Sequence, residues 1–290
     1  MGHTSLHLIL VALLSVVLMA TVPTMIKFTS ATIETMSLVR LGIALMALTP
    51  LMIFNRAFRG MTRHDWLWLL MAGICFACHW WTFAYAIKTA GAGMGAIATS
   101  TFGIHLLLLN NLIYRQPVRP IEMLMIALCV LGCYLVVPKT TGGSSVVVGF
   151  LVGVLSAFLY GVLPLMHRRI IHLPTLTRTW GQFVFGGLCF LTLWPRTHWS
   201  LTAADWWTLL ALGVVGTLIA HSLWVKASSE LPGIMTSSIY YLHSPMSVTV
   251  GWLILDEQIT EMTLAGMALI IGANLFLLAA PWIRIRRQLR

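Results

Sequence analysis

Along the 290 residues, apolar runs of about twenty positions alternate with short polar punctuation, and the pattern fills nearly the whole chain. Ten runs stand out, at 6–26, 33–54, 66–86, 92–113, 121–137, 146–166, 177–194, 206–225, 232–253 and 262–282. Crossing a hydrocarbon core of about 30 Å takes roughly 20 apolar residues in a helix, so each run predicts a membrane-spanning helix. A transmembrane barrel would show alternating strands of about ten residues, whereas these runs are continuous and about twice as long. The expected fold class is all-α and polytopic, with ten transmembrane helices.

The pattern also repeats. Asp65-Trp66-Leu67-Trp68-Leu69-Leu70 opens the third span, and Asp205-Trp206-Trp207-Thr208-Leu209-Leu210 opens the eighth, 140 positions later. Glu122-Met123 and Glu261-Met262 begin the fifth and tenth spans at an offset of 139, and Gly132 and Gly272 recur inside them at 140. The turn-favouring stretch Pro138 to Ser145 is the natural joint, giving repeats at 1–138 and 146–290. Five spans per repeat is an odd number, so the second repeat is expected to enter the bilayer inverted. That is the architecture of many secondary transporters.

Composition and charge sharpen this picture. Hydrophobic residues make up 59% of the chain and charged residues 9%, with a mean hydropathy of +0.89, so few residues remain for an appended soluble catalytic domain. A net charge of +10 would suggest nucleic acid in a soluble protein, but its distribution rejects that partner. With the N-terminus inside, one side of the membrane receives Arg56, Arg59, Arg63, Arg115, Arg119, Arg168, Arg169, Arg178, Lys226, Arg284, Arg286, Arg287 and Arg290. The other receives only Lys27, Lys88, Lys139 and Arg196. This positive-inside bias predicts both termini in the cytoplasm, with the basic tail against anionic lipid headgroups. The first span is too long for a signal h-region and lacks a basic flank, which predicts that it is retained. Cys75, Cys78, Cys129, Cys133 and Cys189 all fall within spans and read as small buried hydrophobes.

Tyr241-Leu242-His243-Ser244-Pro245, followed by Gly251 to Thr260 with the sequence GWLILDEQIT, resembles the ninth helix and following loop of EamA-type transporters in the drug/metabolite transporter superfamily. Gly266 and Gly272 fit the same pattern, while Arg115-Gln116-Pro117 departs from it where the family often carries an acid. The resemblance implies a ten-helix bacterial inner-membrane transporter whose cavity is lined by helices one, three, four, six, eight and nine. The aromatic content is most similar to that of YddG-type aromatic amino acid exporters. Ser100-Thr101-Phe102-Gly103 stands where those tend to carry an aromatic and a proline.

The candidate chemistry is defined partly by what is missing. All eight acids, Glu34, Asp65, Glu122, Asp205, Glu230, Asp256, Glu257 and Glu261, lie at span ends or in loops. No carboxylate at depth is available as a proton relay or as a counter-ion for a cationic drug. Arg40, about seven residues into the second span, is the one candidate for an anion, although snorkelling or a bond to a carbonyl fits it as well. The substrate-binding candidates are His79, Trp80 and Phe83 in the third span and Thr101 in the fourth. The sixth span offers Ser156 and Tyr160, the eighth Thr217, His221 and Trp224, and the ninth Ser237, Tyr240, Tyr241 and Ser244. His105 and His243 are weaker candidates. Any single Ser or Tyr here serves equally well as a helix–helix hydrogen bond, and the Trp residues at span ends, Trp282 among them, read as an interfacial belt. No catalytic group, metal site or cofactor is implied, since HExxH and paired carboxylates are absent. The expected function is secondary transport of a small neutral or zwitterionic metabolite, most plainly an amino acid, by alternating access and facilitated diffusion. Histidine-based proton coupling is the alternative, and a channel or an intramembrane enzyme stands further off. The expected partners are the substrate and membrane lipids, with a monomer or homodimer as the assembly.

Overall fold

The computed structural model describes residues 3–115, 118–136, 144–255 and 259–288. Most of the expected repeat joint, the Gln116-Pro117 departure and the Asp256-Glu257-Gln258 part of the family-like stretch lie outside these residues, as do the side chains of Trp282 and of the basic tail. Among the described residues every regular element is helical: α1 His3–Met19, α2 Val22–Phe28, α3 Ile33–Phe54, α4 Arg63–Ser100, α5 Phe102–Tyr114, α6 Pro120–Val136, α7 Ser144–Arg169 and α8 Thr175–Leu191. These are followed by α9 Ala203–Ala211, a π-helical segment Leu212–Ile219, α10 Ala220–Glu230, α11 Gly233–Tyr241, α12 His243–Leu255 and α13 Glu261–Gln288, with a short 3₁₀ turn at Trp194–Arg196. Five stretches are long and apolar enough to cross a bilayer: Leu6–Phe28, Ile33–Phe54, Arg63–Ala90, Ser144–Arg169 and Ala203–Glu230. Phe102–Tyr114, Pro120–Leu135 and Glu261–Leu277 are shorter apolar helices.

Both faces of these helices are apolar, and burial divides them. On α1, Leu6, Leu10 and Leu14 recur every fourth residue and are exposed, whereas Leu8, Ala12, Ser15, Val16 and Met19 turn inward and are buried. An exposed leucine stripe on a helix with no polar face belongs against lipid chains. Inside, small residues set the helix spacing. A Cβ on Gly149 would lie 2.7 Å from the Ala90 Cβ, and one on Gly132 would lie 2.7 Å from the Gly266 carbonyl oxygen. Such contacts suit a bilayer, where close van der Waals packing rather than hydrophobic exclusion holds helices together.

The helices begin where their sequences dictate. Thr62 and Thr202 are N-caps, and each forms a full capping box with the aspartate three residues on, Asp65 or Asp205. The 140-residue repeat in the sequence is therefore a repeat of helix-start chemistry. Between the third and fourth predicted spans the expected loop is replaced by helical turns, because α4 carries helical hydrogen bonding from Arg63 to Ser100. It nevertheless folds back on itself. A Cβ on Gly95 would sit 3.5 Å from the Ile87 Cα, whereas eight residues of straight helix advance about 12 Å.

Candidate functional site

Four of the bundle's helical paths lose regular α geometry near one level. The first span breaks between Met19 and Val22, with Pro23 at the start of α2. The fourth breaks at Thr101 and the ninth at Leu242, two residues before Ser244-Pro245. The eighth widens into the π-helical segment, where the Thr217 hydroxyl donates to the Leu212 carbonyl at 2.9 Å. Each irregularity frees backbone groups from the helical ladder, and within a membrane such backbone is tolerated where it is buried in protein or lines a cavity. The freed Met19 carbonyl is used at once, since the His243 Nε2 lies 3.2 Å from it and ties the first break to the ninth.

The breaks in the first, eighth and ninth spans border a cavity of about 30 Å³ lined by Met19, Val22, Ile26, Met36, Ser37, Arg40, His79, Trp80, Phe83, Ala84, Tyr160, Gly216, His221, Tyr240 and His243. A water needs about 10–15 Å³, so the space holds roughly two. Met36, Ile26, Arg40 and His79 are all buried, so the cavity lies inside the bundle.

Its walls are aromatic. His79 stacks on Tyr160 at 4.4 Å between centroids and 10° between planes. Tyr160 meets Tyr240 at 5.4 Å, and Tyr240 meets Trp224 at 5.4 Å, Phe102 at 4.5 Å and His243 at 5.6 Å. His221 stands edge-on to Trp80 at 5.5 Å and to Phe76 at 5.2 Å. The polar atoms are few and defined. The Ser156 hydroxyl donates to the His79 carbonyl at 3.0 Å, and the His79 Nδ1 lies 2.8 Å from that hydroxyl oxygen and 3.0 Å from the Ser156 carbonyl. With the hydroxyl proton committed and a carbonyl able only to accept, Nδ1 is the donor, an assignment made from the network. Nε2 is then a free acceptor on the cavity side. Neither His221 ring nitrogen has a hydrogen bond of ordinary geometry, and the Trp224 Nε1 and Ser244 hydroxyl are likewise unpartnered.

The sequence candidates fall into three groups. His79, Trp80, Phe83, Tyr160, His221 and Tyr240 line the cavity. Ser156, Thr217 and Trp224 stand behind it, each touching a lining residue. Thr101, Ser237, Tyr241 and Ser244 are placed otherwise. The Thr101 hydroxyl donates to the Ala98 carbonyl at 2.7 Å, and the Ser237 hydroxyl donates to the Gly103 carbonyl at 3.2 Å. Tyr241 packs with Cys129, Cys133 and Ile270 in a separate core, and its ring covers Gly103 so closely that a Cβ there would lie 2.5 Å away. Adjacent residues on a helix point about 100° apart, so Tyr240 faces the cavity, with His243 beyond the break at Leu242, while Tyr241 faces the separate core. His105 lies edge-on to Phe158.

Arg40 is the lining residue to which the sequence assigned no firm role. It neither snorkels nor meets a carbonyl. It is 5% exposed, its guanidinium carbon lies 3.9 Å over the Trp80 ring, and its Nε donates to the Thr217 hydroxyl at 3.0 Å. The available signal was its isolation as the one cation deep in a span. Ser37 gave no signal of its own.

Apolar helices with lipid-facing leucines, wrapped around an internal polar and aromatic cavity at the level of broken helices, define a multi-pass membrane transporter. Comparison with known proteins bears this out. The profile of the EamA-like transporter family matches twice, at residues 7–137 and 147–279, and the chain belongs to that family. Its members are transporters, not enzymes. An uncharacterized transporter of Bacillus subtilis (strain 168), YwfM, is 22% identical over 223 residues, covering 75% of each chain. A crystal structure of a protein 14% identical superposes with a TM-score of 0.80 over 96% of this chain and 98% of that one, so the two share a fold.

Proposed function

We propose that the protein carries small zwitterionic or neutral metabolites, amino acids with aromatic or other apolar side chains foremost, across a bacterial inner membrane. In this reading both termini are cytoplasmic, net transport is outward, and two inverted five-helix repeats give alternating access to one central site. The observation that carries it is the composition of the cavity. Stacked aromatic walls from Tyr160, Tyr240 and Trp80 surround a small number of directed polar groups, the usual design of a small-molecule site. The free Nε2 of His79 suits a substrate ammonium, and the aromatic faces suit both an ammonium and an apolar side chain. Room for about two waters corresponds to an occluded carrier without cargo, and the site enlarges when the two halves part.

A thermal-shift screen of amino acids against the purified full chain tests this, because a ligand that binds the folded state alone raises its stability by mass action. Aromatic and large aliphatic amino acids should raise the melting temperature, and counterflow in proteoliposomes should then saturate with the same compounds. If nucleosides or sugars stabilise the protein and amino acids do not, this substrate class is wrong.

A further inference from the structure

We infer that Arg40 is the anchor for a carboxylate borne by the substrate. The inference rests on the cavity being the transport site proposed above, and it names the group that the site must recognise.

A guanidinium offers five N–H donors. In Arg40 only Nε has a protein acceptor, the Thr217 hydroxyl. Among the described residues no carboxylate pairs with it, and its own helix's acid, Glu34, accepts instead from the Trp81 Nε1 at 3.1 Å. The terminal nitrogens Nη1 and Nη2 make no hydrogen bond and are not sealed inside protein, for Arg40 is one of the cavity walls. Their neighbourhood is kept clear. Position 216 in the π-helical segment, which faces Nη2, is glycine, and a Cβ there would reach Nη2 only at an ordinary van der Waals distance of 3.8 Å.

Two other arginines show what a structural arginine looks like in this bundle. Arg168 donates to the Ser229 carbonyl at 3.1 Å, to the Asn110 side-chain oxygen at 2.6 Å and to the Leu231 carbonyl at 2.5 Å. Arg178 reaches the Ser229 hydroxyl at 2.6 Å, the Thr175 hydroxyl at 3.1 Å and Glu230 at 3.3 Å. Arg168 uses all three guanidinium nitrogens and Arg178 both terminal ones, its Nε alone being left without a partner; Arg40 is the reverse, with Nε bonded and the terminal pair free. Its Trp80 and Thr217 contacts fix the plane of the fork and leave its outer edge for a ligand. A buried cation without an anion is costly, and a planar fork with free terminal N–H groups matches a carboxylate.

The test uses the purified full chain and three probes of one shape: L-phenylalanine, 3-phenylpropionate, which lacks the ammonium, and L-phenylalaninamide, which lacks the carboxylate. Wild-type protein should bind both carboxylates at least tenfold more tightly than the amide. Arg40→Gln should abolish that preference by weakening carboxylate binding at least tenfold more than amide binding, and Arg40→Lys should restore part of it, since an ammonium supplies the charge but not the fork. The wild-type comparison stands even where a variant does not fold. Equal affinity for L-phenylalanine and its amide overturns the anchor and leaves the amino acid reading standing. Binding of 3-phenylpropionate without L-phenylalanine keeps the anchor and overturns the amino acid reading. No binding of either carboxylate, or undiminished carboxylate affinity in Arg40→Gln, also overturns the anchor.

Discussion

Residue type alone did not separate site from scaffold; what each side chain packs against does. Tyr160 and Tyr241 are equally buried tyrosines, yet one is stacked on His79 at the cavity and the other seals a packing contact over Gly103. The Tyr241 hydroxyl has no hydrogen-bond partner of ordinary geometry, and removing an unsatisfied buried polar group is neutral or stabilising. Tyr241→Phe should therefore leave both the melting temperature and counterflow within error of wild type, or raise the former slightly. A tenfold loss of flux would return Tyr241 to the substrate path. His79 behaves in the opposite way. His79→Ala removes the stacking on Tyr160, the pair of contacts to Ser156 and the free Nε2 acceptor together. Substrate affinity should fall at least tenfold, about 1.4 kcal/mol, read as a displaced midpoint in a ligand-dependent thermal shift.

At the level of elements, much of the helical layout was legible. The second span was read as 33–54 and α3 is Ile33–Phe54; the sixth was read as 146–166 and α7 is Ser144–Arg169. Long apolar runs leave lipid-embedded backbone no alternative to helix. The interruptions were harder to see. Pro23 and Pro245 are visible marks, but the π-helical widening at Leu212–Ile219 has only Gly213 and Gly216 to announce it. Tertiary contact, not local propensity, decides it: Gly213 packs under Ile43, and Gly216 lies against Val22. Asp65 and Asp205 stood out in the sequence by their 140-residue offset, whereas their roles as capping residues and their second partners in distant loops did not. Asp205 accepts five hydrogen bonds, from the Thr202 backbone and hydroxyl, the Ser30 backbone and hydroxyl, and the Thr29 hydroxyl. Every contact places a donor against the carboxylate, so an asparagine would turn its NH₂ toward another donor. Asp205→Asn should loosen that end of the bundle. On a cysteine-free background carrying Ser37→Cys in the cavity, labelling by a membrane-impermeant thiol reagent from the Asp205 side should accelerate severalfold. Unchanged labelling would mean that the contact does not close the path.

Across the whole molecule the two caps are exchanged between halves. Asp65, in the first half, receives the His172 Nε2 from the second at 3.0 Å. Asp205, in the second half, holds Thr29 and Ser30 from the first. Each half thus holds a loop of the other through its capping aspartate. What would drive transport follows from the cavity. Coupling to protons needs a wall group that gains and loses a proton in step with cargo, and among the described residues no carboxylate lines the cavity. The His79 Nδ1–H already donates to Ser156. A proton on the His79 Nε2 or on His221 would place a second positive charge in the cavity that Arg40 lines, where charges buried among aromatic walls interact far more strongly than in water. Flux should accordingly run down the substrate gradient alone. In proteoliposomes holding equal substrate on both sides, an imposed pH gradient of either sign should produce no net accumulation, while counterflow against preloaded unlabelled substrate proceeds at its full rate. Accumulation that follows the proton gradient and disappears in His79→Ala or His221→Ala would sink the facilitated-diffusion mechanism and make one of these imidazoles the coupling group.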